Sequence, residues 1–152
     1  MALRTVSAHL IIVVMFQSQL TKDTQFMSYR AFAVFSEMNL KRCEHPNGFN
    51  HKLNSWSTSD WMTATLGELG EAANIVKKLN RVRDGIPGNK ETESELKAAL
   101  ADEIADTYIY LDLLAQSLGL IMSDIVDHKF RKTSKKIGYE THLQSCLCPL
   151  CT

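Results

Sequence analysis

The sequence predicts an all-α protein built as a bundle of about four helices. Apolar side chains recur at helical spacing through the body of the chain, and short stretches rich in glycine, proline and N-capping residues separate these segments. No alternation of polar and apolar residues of the kind that marks strands competes with this pattern. A chain of 152 residues is also long enough to bury a core without disulfides. We therefore expect one helical domain with short connections.

The first two helices lie on either side of a turn-rich stretch. Aromatic and apolar residues recur at helical spacing over residues 25–41, which predicts a first helix with its aromatic side chains in the core. Residues 44–59 carry turn formers and end in a dense supply of N-capping residues. The second helix is expected from about Asp60 to Asn80, because the glycines and proline of residues 84–90 forbid its continuation.

Glycines bound the third and fourth helices. Residues 93–118 are rich in alanine, leucine and glutamate, and Gly119 provides the C-terminal stop of the third helix. Ser123 is the expected N-cap of a fourth helix, which runs to about Lys136 and ends before Gly138. The third helix carries apolar residues over an arc too wide for a single neighbour, so we expect it to pack against at least two partners.

The two ends of the chain are assigned to segments outside the helical domain, which covers residues 25–140. Residues 1–24 form an N-terminal extension whose apolar run, residues 9–16, is too short to span a bilayer. Residues 141–152 form a tail that holds three of the four cysteines. Zinc ligation by these cysteines is an alternative, but a frayed reactive tail is favoured, and the lack of a disulfide framework indicates a cytoplasmic protein.

Charge and composition limit the kinds of partner. The chain has 17 basic and 17 acidic residues. We therefore do not expect it to bind a nucleic-acid polymer or a membrane through a broad charged surface. A local cluster of basic residues can still hold the few phosphates of a nucleotide. The local clustering of charges therefore matters more here than their total.

Two acidic pairs at the same spacing are the most informative feature of the chain. Glu68 and Glu71 lie three residues apart in the second helix, and Glu103 and Asp106 do so in the third. Side chains at positions i and i+3 of a helix point the same way, so two such helices packed together would aim four carboxylates at one spot. Each pair also shares its helical sector with apolar residues, which is unusual for solvated charges.

A cation is the expected reason for this clustering. Two carboxylates about 5 Å apart repel by about 3 kcal/mol at an effective dielectric constant near 20. Oxygen ligands favour Mg²⁺, with Mn²⁺ as its substitute, whereas zinc prefers nitrogen or sulfur. A di-iron bundle is disfavoured because neither motif contains histidine. Helical projection places Asp102, Asp112 and Gln116 elsewhere, and we interpret them as surface residues.

Two segments carry a resemblance to a known family. Residues 67–74 read Gly-Glu-Leu-Gly-Glu-Ala-Ala-Asn, and residues 102–114 read Asp-Glu-Ile-Ala-Asp-Thr-Tyr-Ile-Tyr-Leu-Asp-Leu-Leu. The sequence resembles the MazG-like, all-α nucleotide pyrophosphohydrolases at these motifs, and the resemblance extends over residues 54–140. Gly67 stands where family members often carry a further glutamate.

The resemblance implies Mg²⁺-dependent hydrolysis of nucleoside or deoxynucleoside triphosphates to the monophosphate and pyrophosphate, in a site where helices of two subunits meet. It implies that Glu68, Glu71, Glu103 and Asp106 are the metal ligands. It also implies that Glu71 and Glu68 are the catalytic candidates, with Glu71 nearest the attacking water, a choice between the two that the residues alone do not make. A homodimer or a homotetramer is expected, because one chain offers too few walls to enclose a nucleotide.

Further residues are candidates for substrate binding. Aromatic side chains can stack on the base, an asparagine can bond the sugar or base, and basic side chains can hold the phosphates. Lys129 also matches the Lys-Phe motif of the family, and Arg131 stands where the family frequently has asparagine. The candidates are Trp56, Trp61, Asn74, Lys78, Tyr110, Lys129 and Arg131. Core packing is the competing interpretation for the aromatic residues, most of all for Trp61.

Two alternatives stay open. The first is a non-catalytic helical module that binds a nucleotide or a metal, or that assembles with partners through its apolar faces. The second is a related pyrophosphatase acting on a phosphoribosyl nucleotide of histidine synthesis. The sequence leaves the preferred base and sugar and the number of metal ions undetermined.

Overall fold

The computed structural model describes residues 31–139, and these residues confirm the all-α class. The first helix, α1, covers residues 31–44 of the described range; α2 covers Thr58–Arg83, α3 Glu93–Ser117 and α4 Met122–Lys136. A 3₁₀ turn, Leu53–Ser55, precedes α2, and no strand occurs between residues 31 and 139. The start predicted for the first helix and both predicted domain boundaries lie outside the described residues.

The chain divides into two compact units, Met1–Phe35 and Ser36–Thr152. In the first unit, the described residues 31–35 are helical. The second unit contains the remainder of α1 and all the later helices, and the features below belong to it.

Helices α2 and α3 form a long hairpin whose two N-termini are capped in the same way. Ser57 caps α2, and its backbone N–H and hydroxyl both donate to the Asp60 carboxylate, at 2.8 and 2.7 Å. Thr92 and Glu95 repeat this capping box at the start of α3, with both distances at 2.7 Å. The helix therefore begins before the predicted Asp60, because the N-cap is Ser57 and Asp60 completes the box.

Helix α4 differs from the prediction at its start. Ser123 lies inside the helix, whose N-cap is Ile121, and no side chain caps it. Gly119 and Gly138 both adopt positive φ, as expected for glycines that end helices. No single helix among residues 31–139 is both long and apolar enough to cross a membrane; α3 and α4, bent by 98° between them, meet these criteria only as a pair.

The loop after α1 folds back onto the end of that helix. The backbone N–H of Phe49 donates to the Arg42 carbonyl at 3.1 Å, and that of His51 donates to the Cys43 carbonyl at 2.8 Å. Gly48 makes this return possible, because a Cβ there would lie 2.0 Å from the Arg42 carbonyl oxygen. The loop thereby places its aromatic residues next to α1, α2 and α3.

Asp112 lies in the interior and not at the surface, where the sequence predicted it. Its side chain is completely buried and accepts hydrogen bonds from the Ser36 hydroxyl at 2.6 Å, the Asn39 amide at 3.0 Å and the Gln116 amide at 2.8 Å. Gln116, also predicted at the surface, is half-buried and donates to the Ser36 carbonyl as well. The prediction was wrong because the polar face of α1 covers this side of α3. Asp102 is exposed, as expected.

Among the described residues of the second unit, the main buried apolar cluster is small. Cys43, Trp61, Leu113 and Leu114 form one buried cluster, with partly buried Leu53 and Tyr110 packed against it. Helix α3 contacts α2, α4 and the 3₁₀ turn, which confirms that it has more than one neighbour. Large apolar side chains of α2 and α3 and of the residue after α3 nonetheless remain exposed, among them Met62, Leu66, Leu69, Val76, Ile104 and Leu118.

Candidate metal centre and adjoining cleft

Three carboxylates converge between α2 and α3. Glu68 of α2 and Glu103 and Asp106 of α3 each offer an oxygen, and these three atoms lie within 4.8 Å of one another. Glu68 and Glu103 are half-buried and Asp106 is exposed. The arrangement follows from the hairpin, since residues three apart on α3 face α2 together at the level of Glu68. The predicted meeting of the two acidic motifs is therefore present for these three residues, which we call the acidic cluster.

Glu71 is not a member of the acidic cluster. It is exposed, one turn beyond Glu68 on α2, although its negative charge reaches Glu68. The fourth predicted ligand therefore stays a prediction, and Glu71 lies at the edge of the cluster as a carboxylate outside the three-oxygen group.

The electrostatics of the acidic cluster favour a bound cation. The pKa of Glu68 is raised above its ordinary value, first by burial, then by the negative charges of Asp106, Glu71 and Glu103, and then by a hydrogen bond with Glu103. A raised carboxyl pKa means that the ionised form is disfavoured unless a positive charge approaches. Carboxylate oxygens at this spacing suit a hard divalent ion, so the donor set fits the expected metal.

A cleft of about 410 Å³ adjoins the acidic cluster. Glu68 and Asp106 lie in its wall, and α1, the loop after it, α2 and α3 all contribute to the lining. The remaining lining residues are Asn39, Arg42, Cys43, Phe49, His51, Trp56, Trp61, Ile109, Tyr110 and Leu113. A more open depression of about 650 Å³ near the start of α2 contains no residue of the acidic cluster.

Aromatic rings form one side of the cleft. The Trp56 ring lies 4.6 Å, centroid to centroid, from both His51 and Trp61, and it is 37% exposed. Trp61 is 1% exposed, and its indole N–H donates to the Leu53 carbonyl at 3.1 Å. Trp61 therefore belongs to the core and borders the cleft, whereas Trp56 offers accessible ring surface.

Tyr110 links the aromatic wall to the acidic cluster. Its ring lies 6.4 Å from that of Trp61, and it also lines the cleft. Burial raises the pKa of Tyr110, the negative charges of Glu68 and Asp106 raise it further, and Arg42 opposes them. The hydroxyl therefore stays protonated at neutral pH and can donate a hydrogen bond to a ligand.

The remaining predicted substrate residues do not line the cleft. Asn74 accepts a hydrogen bond from Lys77 at 3.2 Å, and Lys78 forms an ion pair with Glu91 at 2.5 Å. On α4, Lys129 is exposed, and Arg131 pairs with both carboxylate oxygens of Asp127, at 3.0 and 2.8 Å. Their predicted roles in substrate binding stay predictions.

The cleft also contains residues of α1 and one loop residue, Phe49, that the sequence did not indicate. Asn39, Arg42 and Cys43 reach the cleft from α1, and Phe49 reaches it from the loop. The spacing of apolar residues predicts that α1 is a helix but not where it crosses α3, so nothing local indicated these residues. The only available signal was the basic Arg42 close to an expected core helix and followed by an aromatic turn.

Comparisons of the chain with protein-family models, with curated proteins and with solved structures find no match. The family resemblance of the acidic motifs stays an expectation from the sequence.

Proposed function

We propose that the protein hydrolyses nucleoside or deoxynucleoside triphosphates to the monophosphate and pyrophosphate in the presence of Mg²⁺. The observation that carries the proposal is the convergence of Glu68, Glu103 and Asp106 at the wall of a cleft whose other residues include accessible aromatic rings. A nucleotide needs both features, because its phosphates are bound together with a divalent cation and its base stacks on aromatic surface.

Glu68, Glu103 and Asp106 would hold the metal ion, and Mn²⁺ would substitute for Mg²⁺. When bound, the ion would neutralise phosphate charge and polarise the phosphorus–oxygen bonds. The chain supplies the fixed arrangement of the three carboxylates, since each stands on a helix within the α2–α3 hairpin. Holding ligands on rigid helices reduces the reorganisation that binding would otherwise require.

Glu71 is the proposed acceptor of the proton from the attacking water. Its carboxylate stands next to the acidic cluster without belonging to it and is exposed, so it can contact solvent. Water oxygen would bond to the α-phosphorus while the bond from that phosphorus to the bridging oxygen breaks. The electron pair leaves with pyrophosphate, and the proton taken by Glu71 passes to solvent.

Trp56 and Tyr110 are the proposed contacts for the base. Trp56 offers ring surface at the cleft, and Tyr110 adds a hydroxyl donor between the aromatic wall and the acidic cluster. Stacking of this kind is largely indifferent to base identity. The proposal therefore covers the class of nucleotide and leaves base preference to experiment.

A panel assay tests the proposed reaction. The purified protein is incubated with Mg²⁺ and each ribo- and deoxyribonucleoside triphosphate, and pyrophosphate and orthophosphate are measured separately. We expect pyrophosphate together with the monophosphate. Release of orthophosphate alone, or no turnover of any nucleotide, would refute the proposal, and nucleotide binding unchanged by removal of divalent metal would favour the non-catalytic module.

The substitution E71Q tests the proton acceptor. We expect turnover to fall by at least about a hundredfold, because general-base catalysis contributes roughly that much, while helical circular dichroism stays unchanged. D102N is the matched control, since Asp102 is an exposed acid of α3 outside the acidic cluster. Activity of E71Q equal to that of D102N would remove Glu71 from the mechanism.

Assembly with a second copy is part of the proposal. Four apolar residues recur at helical spacing on α2 and are between 41% and 57% exposed, namely Met62, Leu66, Leu69 and Val76. Gly67 and Gly70 interrupt the same helix, and nothing in the described chain lies within 4 Å of a Cβ placed at either. Glycine inside a helix costs about 1 kcal/mol relative to alanine, a cost that close packing of a partner helix would offset. A homodimer is the smallest assembly that covers this face.

A further inference from the structure

Arg42 places a positive charge in the cleft that Glu68 and Asp106 also line. It stands on α1, lines the same cleft as Glu68 and Asp106, and its guanidinium carbon lies 5.4 Å from the centroid of the Phe49 ring. Within the described residues it donates one long hydrogen bond, 3.4 Å, to the Asn39 side-chain oxygen. No carboxylate between residues 31 and 139 forms an ion pair with it. Arginine carries five N–H donors, so most of its donating capacity remains available to a ligand.

The crossing of α1 and α3 places Arg42 near the acidic end of the cleft. Ser36 bonds Asp112 and Gln116 of α3, whereas Asn39, three residues later, bonds Asp112 and the Ile109 carbonyl. The contacts on α3 thus move toward its N-terminus as α1 proceeds, and the two helices run antiparallel. A further turn of α1, about 5.4 Å, brings Arg42 toward the level of Asp106.

A buried hydrogen-bond network holds Asn39, the residue that accepts a hydrogen bond from Arg42. The Asn39 amide nitrogen donates to the Ile109 carbonyl and to Asp112, both at 3.0 Å. With both amide hydrogens engaged, the Asn39 oxygen is left to accept from Arg42. Asp112 has no exposed surface, so the network is shielded from water. Asn39 and Asp112 are therefore positioning residues for Arg42.

We propose that Arg42 is a substrate-binding residue that donates hydrogen bonds to the phosphate chain of the nucleotide; this assignment rests on the proposed function. One face of the guanidinium lies over Phe49, which leaves its in-plane N–H groups to bond phosphate oxygens. A planar guanidinium binds phosphate through two parallel hydrogen bonds, which a lysine ammonium cannot reproduce. A phosphate is negatively charged and can therefore pair with Arg42, which has no carboxylate partner among the described residues. A neutral base carries no such charge.

Calorimetry with three probes tests the assignment on the full chain. The first probe is inorganic pyrophosphate with Mg²⁺, the second is the set of α,β-imido deoxynucleoside triphosphates with Mg²⁺, and the third is the corresponding deoxynucleosides. The variants are R42A and R42K, with R83A as the control because Arg83 pairs with Asp84 at the end of α2 and does not line the cleft. Circular dichroism and thermal unfolding verify that each variant is folded.

We expect R42A to weaken binding of pyrophosphate and of the imido analogues by about tenfold to a hundredfold, with a smaller loss for R42K. Nucleoside binding should stay within about twofold of the wild type, and R83A should match the wild type with every probe. Unchanged phosphate binding by folded R42A or R42K would overturn the assignment of Arg42 but not the proposed function. An equal loss for the nucleosides would also overturn it, since Arg42 would then act through the base or the aromatic wall. Failure of the wild type to bind any imido analogue would instead refute the proposed function, and this assignment with it.

Discussion

Replacement of Glu68 by glutamine should change stability in opposite directions with and without metal. One carboxylate oxygen of Glu103 and one of Asp106 lie within 4.8 Å of a carboxylate oxygen of Glu68. Without a cation these groups repel, so E68Q should stabilise the metal-free protein. With Mg²⁺ the same substitution removes a ligand, so E68Q should lose most of the stabilisation that the ion gives the wild type.

The size of the effect follows from the distance. Two unit charges 4.8 Å apart repel by about 0.9 kcal/mol at a dielectric constant of 80 and by about 3.5 kcal/mol at 20. Asp106 is exposed, so water and salt screen its share, and a gain of about 1–2 kcal/mol is expected for E68Q in EDTA at low ionic strength. At a Mg²⁺ concentration about one hundred times its Kd, the wild type should gain about 2.7 kcal/mol. The order of stability of the two proteins should therefore invert between EDTA and Mg²⁺.

Urea unfolding of both proteins in EDTA and in Mg²⁺ measures these differences, with D102N as the control for loss of an exposed acid outside the acidic cluster. The dependence on pH gives a second measure. Because the pKa of Glu68 is raised from 4.5, the folded protein binds this proton more tightly than the unfolded chain does. The stability that Glu68 contributes to the metal-free wild type should thus be lost as pH rises from about 4.5 through the higher folded pKa, so the stability advantage of E68Q over the wild type in EDTA should grow over this range. Destabilisation of E68Q in EDTA, or equal stabilisation of both proteins by Mg²⁺, would refute the reasoning.

Two further predictions concern the fold and the assembly. D112A should lower the free energy of unfolding by about 3 kcal/mol in urea titrations, because Ser36, Asn39 and Gln116 would each lose a buried acceptor; a loss below about 1 kcal/mol would contradict the role given to this network. L66K should reduce the mass measured by light scattering toward the 17.1 kDa of one chain, whereas I86K, at a residue 50% exposed in the α2–α3 loop, should assemble like the wild type. A wild type that is already monomeric, or L66K with wild-type mass, would rule out this face as the interface.

Predictions that depend on residues close in sequence succeeded best. The third helix was expected over 93–118 and occupies Glu93–Ser117, because its cap and its terminal glycine lie beside it in the chain. The pairing of Glu68 with Glu103 and Asp106 also follows from short-range information, since the spacing of three fixes each helical face and a short loop makes the helices neighbours. Ser123 was misplaced as a cap because N-capping depends on where the helix geometry begins, which a serine alone does not determine.

The sequence by itself predicted the helical class, most helix boundaries and a meeting of the two acidic motifs, which the structure shows for Glu68, Glu103 and Asp106. Tertiary structure alone decided that Asp112 is buried, that Glu71 lies outside the acidic cluster, and that Arg42 faces the cleft. The physical reason is that periodicity defines the faces of a helix but not the crossing point of two helices distant in the chain. That crossing point depends on side-chain packing and hydrogen bonds between α1 and α3, such as those from Ser36 and Asn39 to Asp112.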